Sequence, residues 1–120
     1  MRQKDISMRA LRRLALTALL LAACHKDVTG PVDGHAITVS DDRFSPIAGT
    51  VGVGDTVTWT WAPGNDGHNV TFEDSTFGTS GDLVSGTWQR TFPAPGYYRY
   101  RCTLHSTTFA AGMVGVIVVQ

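Results

Sequence analysis

Four side chains in this 120-residue sequence offer soft or borderline metal donors: His68, Cys102, His105 and Met113. Two residues separate Cys102 from His105, and seven separate His105 from Met113, so three of the four share one short stretch. A thiolate, a thioether and two imidazoles suit copper better than they suit metals that prefer hard oxygen ligands. Two His and one Cys in a trigonal set, with a long, weak axial Met, is the donor set of copper sites that pass single electrons. Zinc competes for His and Cys. Its structural sites, however, usually carry two or more Cys, and a thioether is not among its usual ligands.

Such donors need stiff elements to hold them, and from Ala36 onward the pattern is β. "AITV" (36–39) reads as a short strand. In "TVTWTW" (56–61), Val57, Trp59 and Trp61 alternate with threonines, the period-2 mark of a half-buried strand. "APGNDG" (62–67) reads as a loop by its turn residues, and "HNVTFED" (68–74) as a strand with Val70 and Phe72 on one face. A Gly/Ser/Thr-rich excursion (75–86) follows, then "TWQRTF", "YYRYRC" and "MVGVIVV" as further strands. No segment has a helical period. Seven to eight short strands punctuated by Gly and Pro predict an all-β domain, a Greek-key β-sandwich. Within "YYRYRC", Cys102 shares parity with Tyr98 and Tyr100, while Arg99 and Arg101 take the other face. The thiol therefore points into the core at the strand's C-terminal end. Arg101 is expected to face water, either as a solvated strand residue or as part of a docking surface.

The N-terminus has a different use. Arg9, Arg12 and Arg13 precede an apolar run, Leu14 to Ala23, broken only by Thr17. The run is too short to span a bilayer, which takes about 20 residues. It has the length of the apolar region of an export signal. Leu21-Ala22-Ala23-Cys24 resembles the lipobox of bacterial lipoproteins, which implies cleavage before Cys24 and lipidation of that Cys. The expected organisation is a signal over 1–23, a tether over 24–35 and one domain over 36–120. His25 and His35 then read as exposed tether residues. The formal charge of the whole chain is zero, but residues 1–23 carry five Lys or Arg against one Asp. Residues 24–120 carry five basic against nine acidic residues, a mildly acidic balance that offers no footprint for nucleic acid. With Cys24 lipidated, Cys102 is left without a disulfide partner, and metal ligation is one explanation for a lone thiol in an exported protein.

Three stretches together resemble the cupredoxins, in particular plastocyanin-like and pseudoazurin-like domains. "DDRFSPIAGTVGVGDTVTWTW" is similar to the family's opening strands, "GHNVTFED" to its first His motif, and "GYYRYRCTLHSTTFAAGMVGVIVV" to its closing motif. The resemblance covers residues 36–120. It implies one type 1 copper ion held by His68, Cys102, His105 and Met113. It also implies that Asn69 ties the two ligand loops together, with Thr103 placed to bond it. The family's usual loop has four residues between the second His and the Met, whereas "STTFAAG" has seven.

The resemblance implies a one-electron carrier and not an enzyme, since cupredoxin-based copper enzymes need further sites built from extra histidines. The second His implies an electron-transfer edge, here His105 with Phe109 and Pro63. The expected partner is a transient redox protein, the expected state a monomer, and the expected location periplasmic or cell-surface on a bacterial membrane. A copper-delivery module without a redox partner is the alternative, and a zinc-binding domain a more distant one.

Overall fold

The computed structural model describes residues 30–120. The expected signal (1–23), the lipidation site Cys24 and the first part of the tether lie outside the described residues. Among the described residues, no helix is long and apolar enough to cross a membrane.

Eight strands form: β1 (Ala36–Ser40), β2 (Arg43–Ser45), β3 (Ala48–Val51), β4 (Thr56–Trp61), β5 (Thr71–Phe72), β6 (Thr87–Thr91), β7 (Gly96–Arg101) and β8 (Val114–Val119). They make two four-stranded sheets, ordered β2-β1-β4-β6 and β3-β8-β7-β5. Each sheet is mixed, with β1 parallel to β4 and β3 parallel to β8. Inward residues of both sheets interdigitate as the period-2 pattern requires. Ile37, Val39, Val57, Trp59, Trp61, Phe72, Tyr100, Ile117 and Val119 are all buried. Trp59 sits at the middle, packed edge-on against Phe72 and Tyr100. The opposite face of β4 turns its threonines outward, so one strand's alternation sets which side of its sheet is core.

Glycine is required in β8 for a packing reason. A Cβ on Gly115 would lie 2.4 Å from the Tyr100 ring, so the missing side chain is the space in which that ring rests. Gly115 and Tyr100 are cross-strand partners between β7 and β8, the two strands that flank the Cys102–Met113 loop.

One expectation changes. The strand expected over 68–74 shrinks to Thr71–Phe72, because His68 pairs instead with Leu83 in an isolated bridge and Asn69 turns toward Cys102. The Gly/Ser/Thr-rich excursion holds a short 3-10 turn, Ser75–Phe77, capped by the Asp74 carboxylate. Part of the segment expected as tether is hydrogen-bonded to the sheets. The Gly34 N–H donates to the Thr50 carbonyl, the Thr50 N–H to the Val32 carbonyl, and the Thr58 N–H to the His35 carbonyl. Residues 32–35 are thus hydrogen-bonded onto β3 and β4 and belong to the ordered body.

Candidate metal centre

Three strands deliver the donors to one end of the sandwich. β7 carries Cys102 inward just past its last residue, and β8 begins directly after Met113. His68 is placed through β4, since the Trp61 indole N–H donates to the His68 carbonyl at 3.0 Å. His68 and Leu83 also exchange both backbone hydrogen bonds. The backbone at His68 is therefore held from two sides before its ring is considered.

The side chains converge. Cys102 Sγ lies 3.5 Å from His105 Nδ1 and 3.9 Å from His68 Nδ1, and the two Nδ1 atoms are 3.1 Å apart. The point equidistant from the corners of that triangle lies roughly 2 Å from each atom, close to a metal–nitrogen or metal–thiolate bond length. The donor set therefore fits a single soft-to-borderline ion, and these three residues form the one such cluster among the described residues. Met113 is 1% exposed, and its carbonyl accepts the Cys102 N–H at 3.0 Å, which pins the fourth expected donor residue beside the thiol. His68 and Cys102 are buried, whereas the His105 side chain is 33% exposed. The site thus has a closed side and one imidazole open to solvent.

Asn69 and Thr103 are hydrogen-bonded to each other across the two loops. The Asn69 carboxamide oxygen accepts the Thr103 backbone N–H at 3.0 Å, and its NH2 donates to Thr103 Oγ1 and Asp82 Oδ1, each at 2.8 Å. Its own backbone N–H points at Cys102 Sγ, 3.4 Å away. An N–H donor to a ligating sulfur and a locked partner loop fix ligand orientation before any ion arrives.

The seven-residue loop folds back on itself. Ser106 is buried, and its hydroxyl is shared between the Thr108 and Ala111 carbonyls. Gly112 has φ 85°, and a Cβ there would come within 2.7 Å of the His105 carbonyl, so glycine is what lets the loop close this tightly.

Arg101 corrects the sequence reading. It is only partly exposed: the guanidinium donates to the Ser106 carbonyl and lies 5.0 Å from the Phe109 ring centroid, over its face. The extra loop residues cover the arginine that parity had turned outward. Phe109 is accordingly half-buried on Arg101, while Pro63 is exposed. Leu104, 54% exposed beside His105, was missed as an apolar surface residue at this edge.

Two acidic residues were also missed. Asp41 and Asp42 form the two-residue turn between β1 and β2. Asp41 Oδ1 lies 3.1 Å from His68 Nε2, and Asp42 Oδ1 lies 3.8 Å from His105 Nε2. Asp41 also accepts the Asp66 N–H at 2.8 Å. That backbone donor first, and His68 second, hold its carboxyl below the usual carboxylate range. The only sequence signal was a paired acidic turn, which by itself reads as solvated.

Two packed sheets with a Cys and two His closing on one point define a β-sandwich metalloprotein with a single-ion site. Residues 34–120 match the model of the copper binding proteins of the plastocyanin/azurin family, and the chain belongs to that family. It is 40% identical over 101 residues to a halocyanin from Natronomonas pharaonis, a match covering 78% of this chain. It spans 60% of that relative's length. Among solved structures it is similar to a reduced tryptophan-to-tyrosine mutant of amicyanin, with TM-score 0.60, 25% identity and coverage of 76% of this chain and 92% of the other. It is likewise similar to the oxidized plastocyanin of Dryopteris crassirhizoma, with TM-score 0.55, 25% identity and coverage of 71% and 99%. With family and geometry agreeing, His68, Cys102 and His105, together with Met113, are positioned to bind one copper ion.

Proposed function

We propose that this protein is a type 1 blue-copper carrier that passes single electrons between larger redox proteins. The observation that carries the proposal is the triangle of Cys102 Sγ, His68 Nδ1 and His105 Nδ1, buried on two sides and open on the third. Copper bound there supplies a one-electron couple between Cu(I) and Cu(II). The residues of the chain do the rest. Cys102 offers the soft, covalent donor, and the Asn69 N–H tempers its charge. His68 completes the set from the closed side. Met113 would offer its thioether to the ion and help set the potential.

Strands on three sides and hydrogen-bonded loops hold the donors in one arrangement, so little needs to move when the metal changes charge. Electrons pass through His105, whose ring reaches solvent beside exposed Leu104. Phe109 and Pro63 extend that edge. Redox encounters of this kind use small, transient contacts.

An EPR spectrum of the copper-loaded protein tests the reading. A small parallel hyperfine splitting with intense blue colour is expected; a colourless protein holding stoichiometric copper would remove the type 1 assignment. Export and lipidation at Cys24, placing the domain on the outer side of a bacterial membrane, form the second part of the proposal. The support is the residue order of 1–24 alone. Cys24→Ser should shift the protein from membrane to soluble fractions, and unchanged membrane association would defeat the anchor.

A further inference from the structure

The β1–β2 turn reaches the metal centre from outside the ligand loops. Ser40 and Arg43 pair across it, leaving Asp41 and Asp42 as the two turn residues, with Asp42 at φ 59°. A left-handed φ is uncommon for a residue with a side chain, although Asp tolerates it better than most. The turn is sited at the end of the sandwich where β4 and β7 also end, over the remote nitrogens of both ligand imidazoles. His68 Nε2 meets Asp41 Oδ1 at hydrogen-bonding distance, 3.1 Å, while His105 Nε2 and Asp42 Oδ1 are 3.8 Å apart, too far for a hydrogen bond.

The two contacts differ in quality. His68 is 1% exposed, so its Nε2–H has few other acceptors, and Asp41 is itself held by the Asp66 N–H from the loop that leads into His68. One carboxylate oxygen thus fastens both the ligand ring and the chain approaching it. When Nδ1 faces the metal, Nε2 must carry the proton, and a carboxylate acceptor there fixes that tautomer and makes the ring a stronger donor. A stronger donor with a nearby negative charge favours the more highly charged ion.

We infer that Asp41 is a positioning residue for the copper site: its carboxylate orients His68 through Nε2 and biases the site toward Cu(II), lowering the reduction potential. The inference rests on the copper reading above. Loss of such a hydrogen-bonded partner typically costs about 10–100-fold in metal affinity. With Asp41 half exposed, solvent damps the charge, so the lower end applies.

Two measurements on the copper-loaded protein test this, using Asp41→Asn, Asp41→Ala and Asp42→Asn. Asp41→Asn keeps the shape and a hydrogen-bond acceptor but removes the charge. It should lower the Cu(II)-to-Cu(I) affinity ratio about tenfold, which for one electron is a rise of about 59 mV. Asp42→Asn should shift the potential less. Separately, proton NMR of the diamagnetic Cu(I) protein should show a slowly exchanging His68 Nε2–H that Asp41→Ala abolishes. That resonance reports the contact whether or not the oxidised site is of type 1, so failure of the copper-carrier reading and failure of this one look different. An unchanged potential in Asp41→Asn, a larger shift in Asp42→Asn, or an undisturbed Nε2–H in Asp41→Ala overturns the assignment.

Discussion

The two ends of the sandwich each place an imidazole against carboxylates, with opposite results. At the metal end, His68 is buried, one of its nitrogens meets Asp41, and the other is directed at Cys102 and His105. At the far end, His35 is half exposed and both of its nitrogens are engaged by carboxylates, Asp33 at 2.5 Å and Asp55 at 3.0 Å. An imidazole with an acceptor on each nitrogen is best satisfied when doubly protonated. An imidazole with an acceptor on one nitrogen and a thiol and a second imidazole beyond the other is kept for a metal. The same pair of residue types thus makes an ionic clasp at one end and a ligand at the other, and burial with the neighbouring donors decides which.

The largest effect should come from Cys102→Ser. Replacing the thiolate with a hydroxyl removes the soft donor at the closed corner of the triangle while leaving the far end intact. Visible spectroscopy of the copper-incubated variant should show the blue band gone. A retained band would place the chromophore elsewhere.

Met113→Leu should have a middling effect. Leu fills nearly the same buried volume, a swap that usually costs less than about 1.5 kcal/mol. Copper should stay bound and the potential should rise; voltammetry that finds no change would take Met113 out of the axial role.

The smallest effect belongs to the far end. Side-chain hydrogen bonds to Asp33 first, then to Asp55, raise the His35 pKa above that of a free imidazole. Asp33 and Asp55 are lowered, chiefly by backbone N–H donors from His35 and Gly52 and then by the His35 ring. For His35 the stabilisation is complete below the unfolded pKa of about 6.5 and fades as pH rises through the raised folded value. For the two carboxylates it is complete above about pH 4 and fades as pH falls through their lowered values. Thermal melts of His35→Gln against the wild type should therefore differ most between about pH 4 and 6.5 and converge in alkali. The exposure of the cluster keeps the difference small. A gap independent of pH would mean the clasp is not ionic.

Arg99 and Arg101 show how far local pattern carries. Both occupy the outward parity of β7. Arg99 behaves accordingly, exposed and paired in a double contact with Glu73. Arg101 does not, because the loop from Ser106 to Gly112 folds over it, and no period-2 rule contains information about a loop that returns from further along the chain. β5 failed for a related reason: the residues before Thr71 alternate like a strand, yet tertiary contacts take their backbone for Leu83 and Cys102. By contrast, the core parity of Trp59 and Trp61 and the inward turn of Cys102 were legible, since alternation with threonine or arginine leaves one face that can be buried.

The sequence by itself determined the donor chemistry. A thiolate, two imidazoles and a thioether are properties of residue type, and three of them sit close enough in the chain to share one loop. Only the tertiary structure decided how far apart those donors stand and which groups lie behind them. Asp41 is 27 residues from His68 and becomes its neighbour because β1 and β4 pair in one sheet and bring their ends together. Contacts at such separation arise from how sheets close, and nothing in the residues of a two-Asp turn records what the closed sheet will place above it.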